Sequence, residues 1–287
     1  MRTTRIRAAL IAAIMTAVSA FAVSAPAGAA VPGTNDFGCK PSAAHPRPLL
    51  MLEGFGGNSD AWRFFAPKLK ADGYCLFTTN YGEHPLLKAL IPNPIEGIVP
   101  MQQSAKEIAP FVDRILAATG AAKIDILGHS EGTMMPRWYL EKLGGAAKVQ
   151  KFVAMTPLWR GTAFFGAAQL RDLLTPLGLA GPVIGLVHGL CGTCTQALTG
   201  SDYLNELNAD GEAIPGIEHT NIVTRYDELV QPYTSGIMRD GGTNVVLQDV
   251  CPNDVSEHIA VAFDPNVLQL VERALDPEHA KPVRCAY

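Results

Sequence analysis

Charge is scarce in this chain. Asp, Glu, Lys and Arg make up 17% of its 287 residues, below the usual share of about a quarter. Apolar residues make up 48%, which excludes a disordered chain and leaves ample material for a core. A basic excess is also missing: the formal charge is −4, so nucleic-acid binding is not expected. No repeat period appears, and the 27 Gly and 21 Pro are aperiodic, which excludes collagen-like and solenoid architectures. Past the first 30 residues no stretch reads as transmembrane. Leu177 to Leu190 is apolar but short, and Gly181, Pro182 and Gly185 interrupt it. No second CxxC accompanies Cys191-Gly-Thr-Cys194 and no His pair has zinc-finger spacing. Asp240, Asp249 and Asp254 match no calcium loop. No metal and no cofactor are expected.

What is present begins with a leader. Arg2, Arg5 and Arg7 precede the acid-free apolar run Ala8 to Ala25, and small residues crowd Ala25 to Ala30. That is the layout of a secretory signal peptide cut between Ala27 and Ala30. Its loss leaves 20 basic and 27 acidic residues, a net charge of −7. The expectation is a secreted protein with one domain over 31–287. Six cysteines follow the leader: Cys39, Cys75, Cys191, Cys194, Cys251 and Cys285. An even number in an exported chain argues for disulfides, with fifteen pairings possible. Cys191 and Cys194 are read as a local structural pair.

Short apolar runs alternate with helical periodicity. Strands are expected at Pro48 to Leu52, Tyr74 to Thr79, Lys123 to Leu127, Val149 to Met155, His219 to Thr224 and Asn244 to Leu247. Asp60 is placed to cap a helix over Ala61 to Ala71. Met101, Ala105, Ile108, Val112 and Ile115 keep helical spacing up to Gly120, with a kink or a late start expected at Pro110. Thr133 to Leu143 reads as helix, and Glu257 to Leu275 as helix interrupted near Pro265. The alternation indicates an α/β fold with a mostly parallel sheet covered on both faces. Residues 162–215 break it with apolar, Gly-rich material and no clear strand, and read as a cap-like insertion over one end of the sheet.

Gly128-His129-Ser130-Glu131-Gly132 lies between a strand and a helix. Two residues without Cβ let the chain turn sharply and expose the serine at the carboxyl end of the sheet. Ser130 is therefore the candidate nucleophile. It needs a base, and the base an orienting carboxylate, in the chain order Ser, acid, His. Of His188, His219, His258 and His279, only His258 follows the last strand by a loop and begins a helical segment. Asp227 lies just past the strand ending at Thr224 and is the candidate acid. Asp202 reads as a helix cap, and Glu228 and Asp254 are weaker rivals. The oxyanion donors are expected to be the backbone N–H of Glu131 and that of Phe55 in Gly54-Phe55-Gly56-Gly57.

Together these segments resemble the secreted class 2 triacylglycerol lipases of the α/β-hydrolase fold, actinobacterial members especially. The likeness is carried by Glu53-Gly54-Phe55-Gly56-Gly57-Asn58-Ser59, Asn80-Tyr81-Gly82, Ala118-Thr119-Gly120-Ala121, the Ser130 pentapeptide, Thr156-Pro157, Gly200-Ser201-Asp202-Tyr203-Leu204, Tyr226-Asp227-Glu228-Leu229-Val230-Gln231-Pro232 and His258 to Pro265. The acid segment also resembles fungal lipase B. The resemblance implies Ser130, Asp227 and His258 as the triad, cofactor-free ester hydrolysis, and disulfides joining Cys39 to Cys75 and Cys251 to Cys285. Three positions depart from the family. Glu53 stands where relatives often carry His. Phe55 cannot supply the hydroxyl that some relatives use. Glu131 stands where Gln or Met is common, so its side chain is expected to point away from the oxyanion or to pair with a base such as Arg160.

The expected substrate is an acyl ester, met at a lipid–water interface by a monomer. Apolar residues of the insertion, among them Phe164, Phe165, Leu177, Leu179, Leu186 and Val187, either fill the core or face an acyl chain. A polyester depolymerase, a small-ester esterase and an acyltransferase would use the same three residues. A catalytically silent binding protein on the same scaffold is the alternative of a different class.

Overall fold

The computed structural model describes residues 31–286 apart from 91–94, 165, 177 and 179. The expected leader, Phe165, Leu177 and Leu179 lie outside the described residues. Six strands, β1 (Leu49–Leu52), β2 (Leu76–Thr78), β3 (Ile124–His129), β4 (Val149–Met155), β5 (Glu218–Val223) and β6 (Thr243–Val246), form one sheet in the order β2-β1-β3-β4-β5-β6. Every pairing is parallel.

A parallel sheet covered on both faces needs apolar residues at successive positions, not alternate ones. Leu49-Leu50-Met51-Leu52 meets that demand. Leu50 and Leu52 enter one core with Ile126, Phe152 and Ala154, while Leu49 and Met51 enter the other with Leu127, Val153 and Met155. Helices α1 (Ala66–Ala71), α3 (Met101–Thr119), α4 (Glu131–Lys142), the short α9 (Leu247–Val250) and α10 (Pro265–Leu275) pack around the sheet, while α2 (Pro85–Leu90) contributes no described residue to either core. Met101, Ile108, Val112 and Ile115 of α3 pack in the first core beside Met134 and Leu140 of α4. Leu69 of α1 and Val267 and Val271 of α10 pack in the second.

Several local expectations are corrected. The segment after Asn58 opens as a 3-10 helix over Ser59–Arg63, and the N-cap is Asn58, not Asp60: the Asn58 side chain accepts the Asp60 N–H at 2.9 Å. The α-helix forms only from Ala66, where Pro67 supplies a preset φ in the first turn. Pro110 does not delay α3, which runs from Met101 and ends at Gly120 in a left-handed cap, φ 75°.

Residues 162–215 form α5 (Ala167–Leu174), α6 (Ala180–Leu190), α7 (Gly192–Gln196) and α8 (Asp202–Leu207). Helix α6 runs over Gly181, Pro182 and Gly185. Pro182 sits in its first turn, where no intrahelical N–H donor is lost. Ser201, not Asp202, caps α8 by accepting the Leu204 N–H at 3.3 Å. Arg137 of α4, with no exposed surface, ties the end of this segment to the sheet layer: it donates to Asn208 Oδ1 at 2.7 Å and Leu207 O at 2.8 Å and pairs with Glu141. No helix among the described residues is long and apolar enough to cross a membrane.

The strand order reverses at β1, between β2 and β3. In open parallel sheets the crevice outside the carboxyl ends at such a point is where ligands bind. The loops leaving β1 and β3 there carry Phe55 and Ser130.

Candidate active site

Ser130 links β3 to α4 with φ 53° and ψ −119°, a backbone conformation that costs a non-glycine residue of order 1–3 kcal/mol. Its surroundings enforce it. The Ser130 N–H donates to Met155 O at 3.0 Å, and the Thr133 N–H and hydroxyl donate to Ser130 O at 2.9 and 2.6 Å. The flanking glycines are obligatory. A Cβ on Gly128 would lie 2.1 Å from Gly132 O, and one on Gly132 would lie 2.2 Å from Leu52 O. The same crossing presses the β1 loop onto the serine, since a Cβ on Gly54 would lie 2.9 Å from Ser130 Cβ.

The structure brings His258 and Asp227 to this turn. His258 Nε2 lies 2.8 Å from Ser130 Oγ, and His258 Nδ1 lies 3.0 and 2.9 Å from the two Asp227 carboxylate oxygens. His258 and Asp227 are both buried. Asp227 Oδ1 also accepts the N–H groups of Leu229 and Val230 at 3.0 and 2.7 Å, which fixes the carboxylate on the strand end that delivers it. Nδ1–H therefore points at Asp227, leaving Nε2 free to accept the serine proton.

His258 does not begin a helix. It sits in a turn ahead of a 3-10 helix over Ala260–Phe263, and Asp264 then caps α10 by accepting the Asn266 N–H at 2.6 Å. Because the turn provides no helical ladder, side chains hold it. Glu228 Oε2 accepts the His258 N–H at 3.1 Å and His129 Nε2–H donates to the His258 carbonyl at 2.9 Å. Thr224 donates to Ser256 O at 2.6 Å, and Gln248 donates to Thr224 Oγ1 and Asp254 O. Sequence reasoning missed these braces. Only the nearness of Glu228 and His129 to the candidate residues pointed to them.

The rivals have other partners. Asp254 accepts from Ser256 N–H and Asn266 Nδ2 at 2.9 and 2.8 Å. His188 meets Thr195 on the surface, and His279 meets Asp276. His219 accepts the Ile214 N–H at 3.1 Å, and burial pushes its imidazole down to about 4. Among the described residues no group of three or more His, Cys, Asp or Glu is arranged to hold a metal ion.

A cleft of about 620 Å³, open to solvent, reaches Ser130 and His258. Phe55 and Glu131 line it, and no acceptor among the described residues engages their backbone N–H groups. Most of its remaining wall is apolar: Met134, Leu158, Phe164, Leu198, Leu229 and Val230. The segment 162–215 thus faces the serine through Phe164, one of the residues expected, and through Leu198, but not through Leu186 or Leu173. Leu186 is 58% exposed and Leu173 67%, because α5 and α6 turn apolar side chains outward.

Glu131 does not pair with Arg160. That guanidinium donates to Glu212 Oε1 at 2.6 Å and Ile237 O at 2.9 Å. The Glu131 carboxyl is instead buried, 3.1 Å from Thr193 Oγ1 and near the equally buried Glu53. The cysteines join as Cys39–Cys75, Cys191–Cys194 and Cys251–Cys285. Cys194 lines the cleft.

Residues 47–175 match the family described as alpha/beta hydrolase fold. The chain has the alpha/beta hydrolase fold. It is 25% identical over 228 residues to lipase B of Pseudozyma antarctica, a stretch covering 77% of this chain and 59% of that protein. The chain thus spans about three fifths of the length of that relative. Among solved structures it is similar to Aspergillus fumigatus lipase B, with a TM-score of 0.64 at 19% identity over 88% of this chain and 56% of that one. A lipase of Bacillus licheniformis in its mature form gives a TM-score of 0.55 at 14% identity over 87% of this chain and 96% of that one.

Proposed function

We propose that this protein is an exported serine ester hydrolase of the lipase or carboxylesterase type. The observation that carries this reading is the unbroken relay from Ser130 Oγ through His258 to Asp227, at 2.8 and 2.9 Å, at the end of an apolar cleft. Ser130 Oγ attacks the acyl carbonyl carbon while His258 Nε2 takes its proton. Asp227 holds the imidazole in the receptive tautomer and stabilises the imidazolium that forms. The oxyanion is received by the N–H groups of Phe55 and Glu131. His258 returns the proton to the departing alcohol, leaving an acyl-serine. Water, deprotonated by His258, then attacks the acyl carbonyl and releases the acid.

The lipase B relatives and the apolar wall support a lipid-like acyl ester as substrate. The outward-facing leucines of α5 and α6 support contact with a lipid–water interface. Three disulfides support export. The test is labelling by a fluorophosphonate, with peptide mapping of the adduct. Stoichiometric modification of Ser130, lost in Ser130→Ala, is the expected result. An unlabelled protein that hydrolyses no p-nitrophenyl ester would leave a silent scaffold.

A further inference from the structure

Glu131 sets a proton-counting problem. Its carboxyl is buried at the head of α4, one residue past the nucleophile. Oε1 lies 3.1 Å from Thr193 Oγ1, and that hydroxyl lies 3.0 Å from Val99 O. Oε2 has no hydrogen-bond partner among the described residues. A threonine hydroxyl has one proton and can donate once. Val99 O and an ionised Glu131 would both be acceptors only, so the single Thr193 proton could serve one of them and not the other. Both contacts are hydrogen bonds at once only if Glu131 brings a proton of its own.

We propose that Glu131 is a positioning residue held as the neutral acid. It donates to Thr193 Oγ1 and so keeps negative charge away from the oxyanion that its own backbone N–H receives. This role presupposes the ester-hydrolase mechanism above.

Beyond Thr193, the surroundings give the anion nothing to bind. Glu53, at the end of β1, is a second buried carboxyl whose two oxygens are both without a hydrogen-bond partner among the described residues. Glu96, in the loop before α3, adds a third carboxyl, acting on Glu53. Tyr81 donates its hydroxyl proton to Glu53 O, and Tyr203 of α8 donates to Met134 O. Arg137, on the same helix as Glu131, is committed to Glu141, Asn208 and Leu207. Burial, reinforced by Glu53, pushes the Glu131 carboxyl well above the ordinary carboxylate range, and Thr193, the one contact that could favour the anion, would leave Val99 O without its proton if it did so. The backbone leaves no slack either. A Cβ on Gly97 would lie 2.5 Å from Glu131 Oε2 and 3.5 Å from Phe55 Cα, so the carboxyl is wedged beside the loop carrying the other oxyanion donor.

The chemical consequence falls on the alkaline side. Once Glu131 ionises, a fixed anion sits beside the site where the transition state gathers negative charge, and kcat falls more than KM rises. The experiment uses the full exported protein. Difference infrared spectra at neutral pH should show the carbonyl stretch of protonated carboxylic acids, with one component lost in Glu131→Gln and another in Glu53→Gln. The background-corrected pH profile of kcat on a soluble p-nitrophenyl ester should fall about tenfold or more on the alkaline side, a limb that Glu131→Gln abolishes. Thr193→Val should move the limb to lower pH, because the neutral acid loses its acceptor. An unchanged infrared signal in Glu131→Gln overturns the inference, as does a limb that Thr193→Val moves upward, which would mean that Thr193 donates to a carboxylate. If no ester is hydrolysed at all, the enzymatic reading fails while the infrared measurement still decides the protonation state.

Discussion

His129 holds His258 by its main chain: the His129 Nε2–H donates to the His258 carbonyl oxygen at 2.9 Å, with the two rings 5.2 Å apart. The residue before the candidate nucleophile thus braces the loop carrying the candidate base. Burial, followed by the nearness of His258, pushes the His129 imidazole down to about 4 from an ordinary 6.5. His129 therefore stays neutral through the working range and keeps Nε2–H as a donor. His129→Ala leaves the His258 carbonyl without its donor, which costs about 1–3 kcal/mol of stability. It should lower kcat more than it raises KM. Urea unfolding and steady-state kinetics measure the two effects separately.

The same histidine, with His219, sets an acid limit. Both have folded values of about 4, depressed from 6.5. A depressed histidine is neutral when folded but protonated when unfolded between those two values, so protons favour the unfolded chain there. Its contribution is complete above about 6.5 and is lost as pH falls through about 4, up to roughly 3 kcal/mol for each. Wild-type stability should decline over that window, and His219→Gln should flatten the decline. A slope that the substitution leaves untouched would assign the acid sensitivity elsewhere.

Ser130→Ala, His258→Ala and Asp227→Ala should each lower ester hydrolysis by several orders of magnitude, and the double mutants should lose little more, because such residues act as a unit. Asp202→Ala should spare turnover, since Asp202 is the first residue of α8 and Ser201 is its cap. Severe loss in Asp202→Ala with a normal Asp227→Ala enzyme would replace the acid.

The sheet and the three candidate residues were legible because each rests on a local rule. Buried parallel strands write continuous apolar runs such as Leu49 to Leu52, and the turn at Ser130 demands two glycines that the sequence displays. The braces were not legible, since they join residues far apart in the chain: His129 to His258, Thr224 to Ser256, Thr193 to Glu131. Helix caps were misplaced by one or two residues because Asn58 and Ser201 cap where Asp60 and Asp202 looked equally able. The cleft wall was only partly legible, at Phe164, because hydrophobicity in residues 162–215 reveals neither which helix face turns inward nor that Leu186 turns out.

Glu53 should limit stability on the alkaline side. Burial is the main cause holding its carboxyl well above the ordinary range, and Glu96 adds to it. A raised carboxyl keeps its proton when folded and sheds it when unfolded. Its contribution is therefore complete below the ordinary value of 4.5 and is lost as pH rises toward the folded value. Glu53→Gln should stabilise the protein at pH 8 and have much less effect at pH 4. Thermal denaturation at the two values decides it, and equal shifts at both would mean that the effect is packing alone.

The Cys251–Cys285 bridge spans 34 residues and anchors the chain just before Asp254 and His258. In the chain-entropy model, closing such a loop stabilises by about 4 kcal/mol. Cys251→Ala/Cys285→Ala should lower the urea midpoint accordingly. Activity should fall before global unfolding, because the braces around Gln248 and Asp254 lose their anchor first.

Chain-length preference should follow the cleft and not the surface leucines. The apolar wall near Ser130 comes from Met134, Leu158, Phe164, Leu198, Leu229 and Val230, whereas Leu186 is mostly solvated. Each acyl methylene buried against that wall gains up to about 0.8 kcal/mol, nearly fourfold in kcat/KM, until the cleft is full. Leu198→Ser or Leu229→Ser should therefore cut hydrolysis of octanoyl and longer p-nitrophenyl esters while sparing the acetate. Leu186→Ser should leave the profile on dissolved esters unchanged, because its side chain already faces water, and should weaken binding to lipid vesicles if α6 meets a lipid surface. The measurement is kcat/KM for acetate through palmitate esters below their aggregation limits. A flat or falling wild-type profile beyond acetate would remove the lipase reading and leave a small-ester esterase. A Leu186→Ser enzyme with the Leu198→Ser profile would mean that α6 closes over the cleft when substrate binds.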